Sequence, residues 1–107
     1  MRSLLFILFL LFSQAIIAED AVIIEIEIEN HIFCPSIVKA PVNRKLKLII
    51  HNKDNTIEEF ESLDFHREKI IPPGKKAHII LAPLRPGEYN FYGEFHQDTA
   101  KGILIVE

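Results

Sequence analysis

From residue 24 onward, apolar and polar side chains change places one for one. Ile24, Ile26 and Ile28 are separated by Glu25 and Glu27 and followed by Glu29. A period of two predicts a half-buried strand with one greasy and one acidic face. Leu46, Leu48 and Ile50 repeat the pattern against Lys47, Ile49 and His51, and Tyr89, Phe91, Gly93 and Phe95 share one face of a later strand. Shorter elements are predicted at Ile37–Val38, between Phe60 and Phe65 (reached through Glu58 and Glu59), at Ala77–Leu81 and at Ile103–Val106. Between them stand turn formers and strand breakers: Asn52 to Asn55, the step Pro72-Pro73-Gly74, Pro83, Pro86 and Gly87. Proline cannot donate to a ladder, so these prolines mark strand ends. No segment carries a convincing helical period. Seven or eight short strands at this spacing predict an all-β, two-sheet sandwich.

The first residues break this pattern. Arg2 precedes an unbroken apolar run from Leu4 to Phe12, which leads to a small residue at Ala18 and then to Glu19 and Asp20. This is the layout of a secretory signal, too short to span a bilayer comfortably. Cleavage after Ala18 would leave residues 19–107 as one soluble, exported domain. Its composition is globular, with 49% hydrophobic and 25% charged residues over the whole chain. The 12 Lys and Arg are scattered singly among 15 Asp and Glu, and loss of Arg2 takes the formal charge from −3 to −4. Such a surface does not attract a phosphate backbone, so nucleic acid is not an expected partner. There is no Gly-rich phosphate loop and no room for a cofactor domain beside a substrate domain.

Cys34 is the single cysteine, so no internal disulfide forms and the core alone must hold the fold. Its thiol is read as buried and inert, as paired with another chain, or as a metal ligand. Hydrolytic chemistry has little support: no Ser lies in a Gly-flanked elbow, and Glu58, Glu59 and Glu61 sit on a short strand without an evident cleft. An enzyme is therefore the less favoured class. Metal binding is the better one, because five His and many carboxylates are available and loops at one end of a sandwich can gather them. The loop beginning at Asn52 leads into Glu58-Glu59-Phe60-Glu61, and Gly93-Glu94-Phe95-His96 precedes the final turn. Glu59 and His96 are the first-choice ligands and Glu61 is the third. Glu94, His66 and Cys34 are supplements, and His31, His51 and His78 are read as surface or satisfied core groups. Oxygen and nitrogen donors suit ferrous, ferric or cupric ions better than cuprous copper.

Several of these segments together resemble the cupredoxin-like domains: Phe33-Cys34-Pro35, Leu48-Ile49-Ile50-His51-Asn52, Pro86-Gly87-Glu88-Tyr89-Asn90-Phe91, and Gly102-Ile103-Leu104-Ile105-Val106. The resemblance implies a Greek-key β-sandwich. In blue-copper members the last loop supplies Cys, His and Met ligands, whose places fall here at Gly93, His96 and Ala100. The first His ligand falls among Thr56 to Glu59, where Glu58 or Glu59 stands instead. A thiolate-copper centre with the usual ligands is thereby excluded, and so is the two-copper version. Glu59-Phe60-Glu61 is similar to a Glu-aromatic-Glu step in the cupredoxin-like domains of bacterial periplasmic iron-uptake proteins. That resemblance implies a periplasmic protein binding a copper or iron ion, with a membrane iron permease or a periplasmic iron-transport protein as partner. The alternative is a metal-free interaction module docking through Phe60, Tyr92 and Phe95.

Overall fold

The computed structural model describes residues 20–107, and the expected export segment over residues 1–18 lies outside them. Among the described residues nine strands follow one another: β1 (Val22–Glu29), β2 (Ile32–Cys34), β3 (Ile37–Ala40), β4 (Leu46–Asn52), β5 (Glu58–Ser62), β6 (Arg67–Ile71), β7 (Lys76–Leu81), β8 (Gly87–Gly93) and β9 (Lys101–Val106). They form a four-stranded sheet in the order β2-β1-β4-β7 and a five-stranded sheet in the order β3-β9-β8-β5-β6. The all-β sandwich expected from the sequence is therefore present, with nine strands where seven or eight were expected.

Alternation fixes which side chains meet between the sheets. On β1, Ile24, Ile26 and Ile28 are buried, and on β4, Leu46, Leu48 and Ile50 are buried beside them in parallel register. The second sheet contributes Phe60, Phe91 and Leu104. Phe33 packs edge-on against Phe60 and Phe91, with ring centroids 6.0 and 5.1 Å away. Each such pair adds about 0.5–1.5 kcal/mol beyond the area buried. Phe60 is thus a core residue, which corrects its expected place on a docking surface. Cys34, one position beyond buried Phe33, is exposed, and this overturns the reading of it as a buried thiol.

Two departures from the expected strands matter for the site. The strand predicted through Phe95 stops at Gly93, and residues Glu94–His96 form one 3₁₀ turn. A second turn follows directly, closed by the His96 carbonyl, which accepts the N–H groups of Thr99 (3.2 Å) and Ala100 (2.8 Å). Phe95 is consequently half exposed rather than on the core face. The β1–β2 connection is the pair Asn30-His31, both in the left-handed region with φ of 53° and 59°. This is the backbone of a two-residue hairpin turn, and Asn and His are both among the non-glycine residues that adopt it most readily.

Candidate metal centre

Three connections converge at one end of the sandwich: the β1–β2 turn with His31, the start of β5 with Glu58, and the 3₁₀ turn after β8 with His96. On β5 the buried positions are Glu58, Phe60 and Ser62, so Glu58 points inward with the core aromatics while Glu59 and Glu61 point outward. Glu58 is 1% exposed. A carboxylate removed from water needs partners, and it has three. Its Oε1 accepts the N–H of Phe95 and the N–H of Glu59, each at 3.0 Å, and its Oε2 lies 2.5 Å from Nδ1 of His96. The space it fills exists because residue 93 is glycine: a Cβ there would stand 2.7 Å from Glu58 Cδ and 2.8 Å from Ala100 Cβ. The backbone of Gly93 is ordinary (φ −94°, ψ 115°), so it is room and not torsion that calls for glycine.

His31 completes the group. Its ring lies parallel to that of His96, with centroids 3.5 Å apart and planes 10° off parallel. One ligand atom each from His31, Glu58 and His96 falls within 4.8 Å of the other two. Two ligands on opposite sides of one ion stand roughly 4.2 Å apart at bond lengths of about 2.0–2.2 Å. One ion could meet all three if His96 ligates through Nε2, or if the ion displaces the proton between Glu58 Oε2 and His96 Nδ1 and parts those two atoms. Two imidazoles and one carboxylate form a borderline-to-hard donor set that suits Cu(II), Fe or Zn, and they leave further coordination positions open. The residues present fit a transition-metal ion.

The expected partnership of Glu59 with His96 does not form. Strand alternation carries Glu59 and Glu61 to the outer face, where with Glu68 they offer a separate set of oxygens within 4.8 Å of one another. Of the expected ligands, only His96 belongs to the inner group. Glu94 stands on the outer side near Glu59 and Glu61, and His66 lies in the β5–β6 turn, at the end of β5 away from Glu58. In the sequence Glu58 stands only as the alternative to Glu59 at the place of the first His ligand. The signal that singles it out is the two-residue offset from Phe60, once Phe60 is assigned to the core. For His31 no local signal exists, because its partners are 27 and 65 positions away in the chain.

The outer carboxylates repel. Glu61 pairs directly with Glu68 across β5 and β6, an arrangement that destabilises a sheet. A carboxyl hydrogen bond with Glu68, followed by desolvation and the charges of Glu68, Glu61 and Glu94, pushes Glu59 up to about 7. Desolvation first, then the charges of Glu94 and Glu68, raise Glu61 as well. An acid whose folded pKa exceeds its unfolded value binds protons more tightly when folded, so its contribution to stability falls as pH rises from about 4.5 to about 7. Glu68→Gln is accordingly expected to raise the melting temperature at pH 8 and to leave it nearly unchanged at pH 4. Parallel melting curves of variant and wild type across that range give the comparison, and a constant difference would contradict the repulsion.

Comparison with known proteins places this geometry in a family. The family of cupredoxin-like domains matches residues 2–106. The uncharacterized protein RP394 of Rickettsia prowazekii (strain Madrid E) is 58% identical over 83 residues, which are 78% of this chain. The chain spans 66% of that relative's length, just under two thirds. Among solved structures, auracyanin A, a "blue" copper protein of Chloroflexus aurantiacus, superposes with a TM-score of 0.70 at 11% identity over 82% of this chain and all of the other. The metal-binding domain of the Cu(I)-exporting P-type ATPase CopA of Streptococcus pneumoniae, solved with Cu(I), gives 0.69 at 17% identity over 79% of this chain and 84% of that one. A purple cupredoxin from Nitrosopumilus maritimus gives 0.61 at 19% identity over 82% and 100%. At these identities the structural likeness concerns the fold. The two-sheet architecture and the match along almost the whole sequence agree: this chain belongs to the family of cupredoxin-like domains.

Proposed function

We propose that this protein binds one transition-metal ion, Cu(II) or iron, through Glu58, His96 and His31 at the loop end of its sandwich. The observation that carries the reading is the buried Glu58 carboxylate, held against the His96 ring with His31 stacked beside it. The metal proposal thus rests on Glu58 in place of Glu59 and Glu61. The chain's own residues divide the work. Backbone N–H groups of Phe95 and Glu59 fix the carboxylate, the short loop over residues 94–100 fixes His96, and the half-exposed imidazoles leave one side accessible. A bound ion would supply a positive charge that neutralises Glu58 and, if it is copper or iron, a one-electron couple.

The reading extends to location and partners. The apolar run at Leu4 to Phe12 supports export to a bacterial periplasm, and the resemblance to iron-uptake domains supports a part in envelope iron or copper handling. There the protein would pass its ion to, or exchange one electron with, a membrane iron permease or a periplasmic iron-transport protein. Calorimetric titration of the purified protein with Cu(II) and with Fe(II) tests the core of this proposal. Stoichiometric binding that is lost in His96→Ala is the expected result, and an equal affinity in wild type and variant would remove the site. A second reading, a metal-free docking module, draws on Phe95 and Ile32, each 49% exposed and each adjacent in sequence to a site histidine. It predicts that neither ion binds wild type.

A further inference from the structure

We infer that Asp54 is a positioning residue for the ion site, a claim that rests on the function proposed above. Asp54 belongs to the β4–β5 loop, and its side chain is 12% exposed. Its carboxylate reaches across to the β1–β2 turn. Oδ1 accepts the N–H of Asn30 at 2.7 Å, Oδ2 accepts the N–H of His31 at 3.0 Å, and the same Oδ2 faces His31 Nδ1 at 3.4 Å. Both turn residues have positive φ, as a two-residue hairpin turn requires, and the carboxylate holds them there by binding both amides. Asp54 is itself braced. Its N–H donates to Oδ1 of Asn52 at 3.1 Å, and the fully buried Asn52 donates through Nδ2 to the carbonyls of Thr56 (2.8 Å) and Ile71 (3.0 Å).

The consequence for His31 is chemical as well as steric. A carboxylate beside Nδ1 favours the tautomer protonated at that nitrogen, which leaves the lone pair on Nε2 for an ion. The ring thus receives its orientation from Asp54 on one side and from the stacked His96 ring on the other. Asp54 touches no ion in this scheme and acts through His31.

The ¹⁵N spectrum of the imidazole rings in metal-free protein tests the claim without a variant: His31 is expected as the Nδ1–H tautomer, and the Nε2–H tautomer would overturn it. Asp54→Asn should then move His31 toward Nε2–H while leaving His51 and His78 unchanged. The same substitution should weaken Cu(II) binding by about 10–100-fold, the usual effect of removing a partner that orients a ligand. In a His31→Ala background the Asp54→Asn effect on Cu(II) affinity should disappear. A loss of equal size there would show that Asp54 supports the fold in general, and would overturn the positioning role. Wild type that binds no Cu(II) but shows the expected tautomer and its shift would refute the metal reading and leave Asp54 established as the group that orients His31.

Discussion

Glu58→Gln is expected to raise the dissociation constant for Cu(II) by more than about 100-fold, beyond the range for groups that only orient a ligand. Gln keeps the shape of Glu58 and one oxygen for the N–H groups of Phe95 and Glu59. It replaces the oxygen 2.5 Å from His96 Nδ1 by an NH₂ group, which carries no charge and cannot ligate through nitrogen as a carboxylate does through oxygen. The fold should therefore survive the change. Glu58→Ala goes further: it leaves the part-buried amides of Phe95 and Glu59 and the His96 ring without their partner, at up to about 1–3 kcal/mol for each group that water does not reach. In a domain of this size each kcal/mol lowers the melting temperature by about 4–8 °C. The pair of variants separates ligation from stability. Full Cu(II) affinity in Glu58→Gln would remove Glu58 from the site, and a loss seen in Glu59→Gln instead would restore the pairing expected from the sequence.

Gly93→Ala should damage both stability and binding. The added Cβ would meet Glu58 Cδ at 2.7 Å, Glu58 Oε1 at 2.9 Å and Ala100 Cβ at 2.8 Å. The first two atoms belong to a carboxylate pinned by three partners, and the third is attached directly to backbone, so none of them yields easily. Overpacking of this kind costs about 1–3 kcal/mol. Because the carboxylate is the atom group being pushed, Cu(II) affinity should fall as well, by at least about 10-fold. In a Glu58→Ala background two of the three clashes vanish, and Gly93→Ala should become much less costly. An equal penalty in both backgrounds would mean that the room at Gly93 does not serve Glu58.

Much of the fold was legible in the chain. The isoleucines of β1 alternate with glutamates, the buried residues of β4 alternate with Lys47, Ile49 and His51, and a two-residue period cannot be satisfied by a helix with one buried face. β6 was harder to see. Its sequence, Arg67 to Ile71, carries a single buried residue, and an edge strand next to β5 needs little apolar patterning to form. The end of β8 departs from its pattern for a different reason. Tyr89, Phe91, Gly93 and Phe95 read as one continuing face, but the chain turns at Glu94, where Glu58 Oε1 accepts the N–H of Phe95 and the carbonyl of His96 gathers two amides.

For the site, the sequence by itself determined the inventory: carboxylates opening β5, an imidazole after β8, and a glycine between strand and turn. It also determined the parity rule that sends neighbouring glutamates to opposite faces, because successive side chains on a strand alternate. Tertiary structure decided which face is inside, and so chose Glu58 over Glu59, since only the pairing of β5 with β8 and the packing of Phe60 under Phe33 orient that strand. It also brought His31 to His96 across 65 positions of sequence, through a hairpin held by Asp54. No local pattern encodes that contact. It exists because burying two apolar sheet faces against each other fixes where their connecting turns must meet.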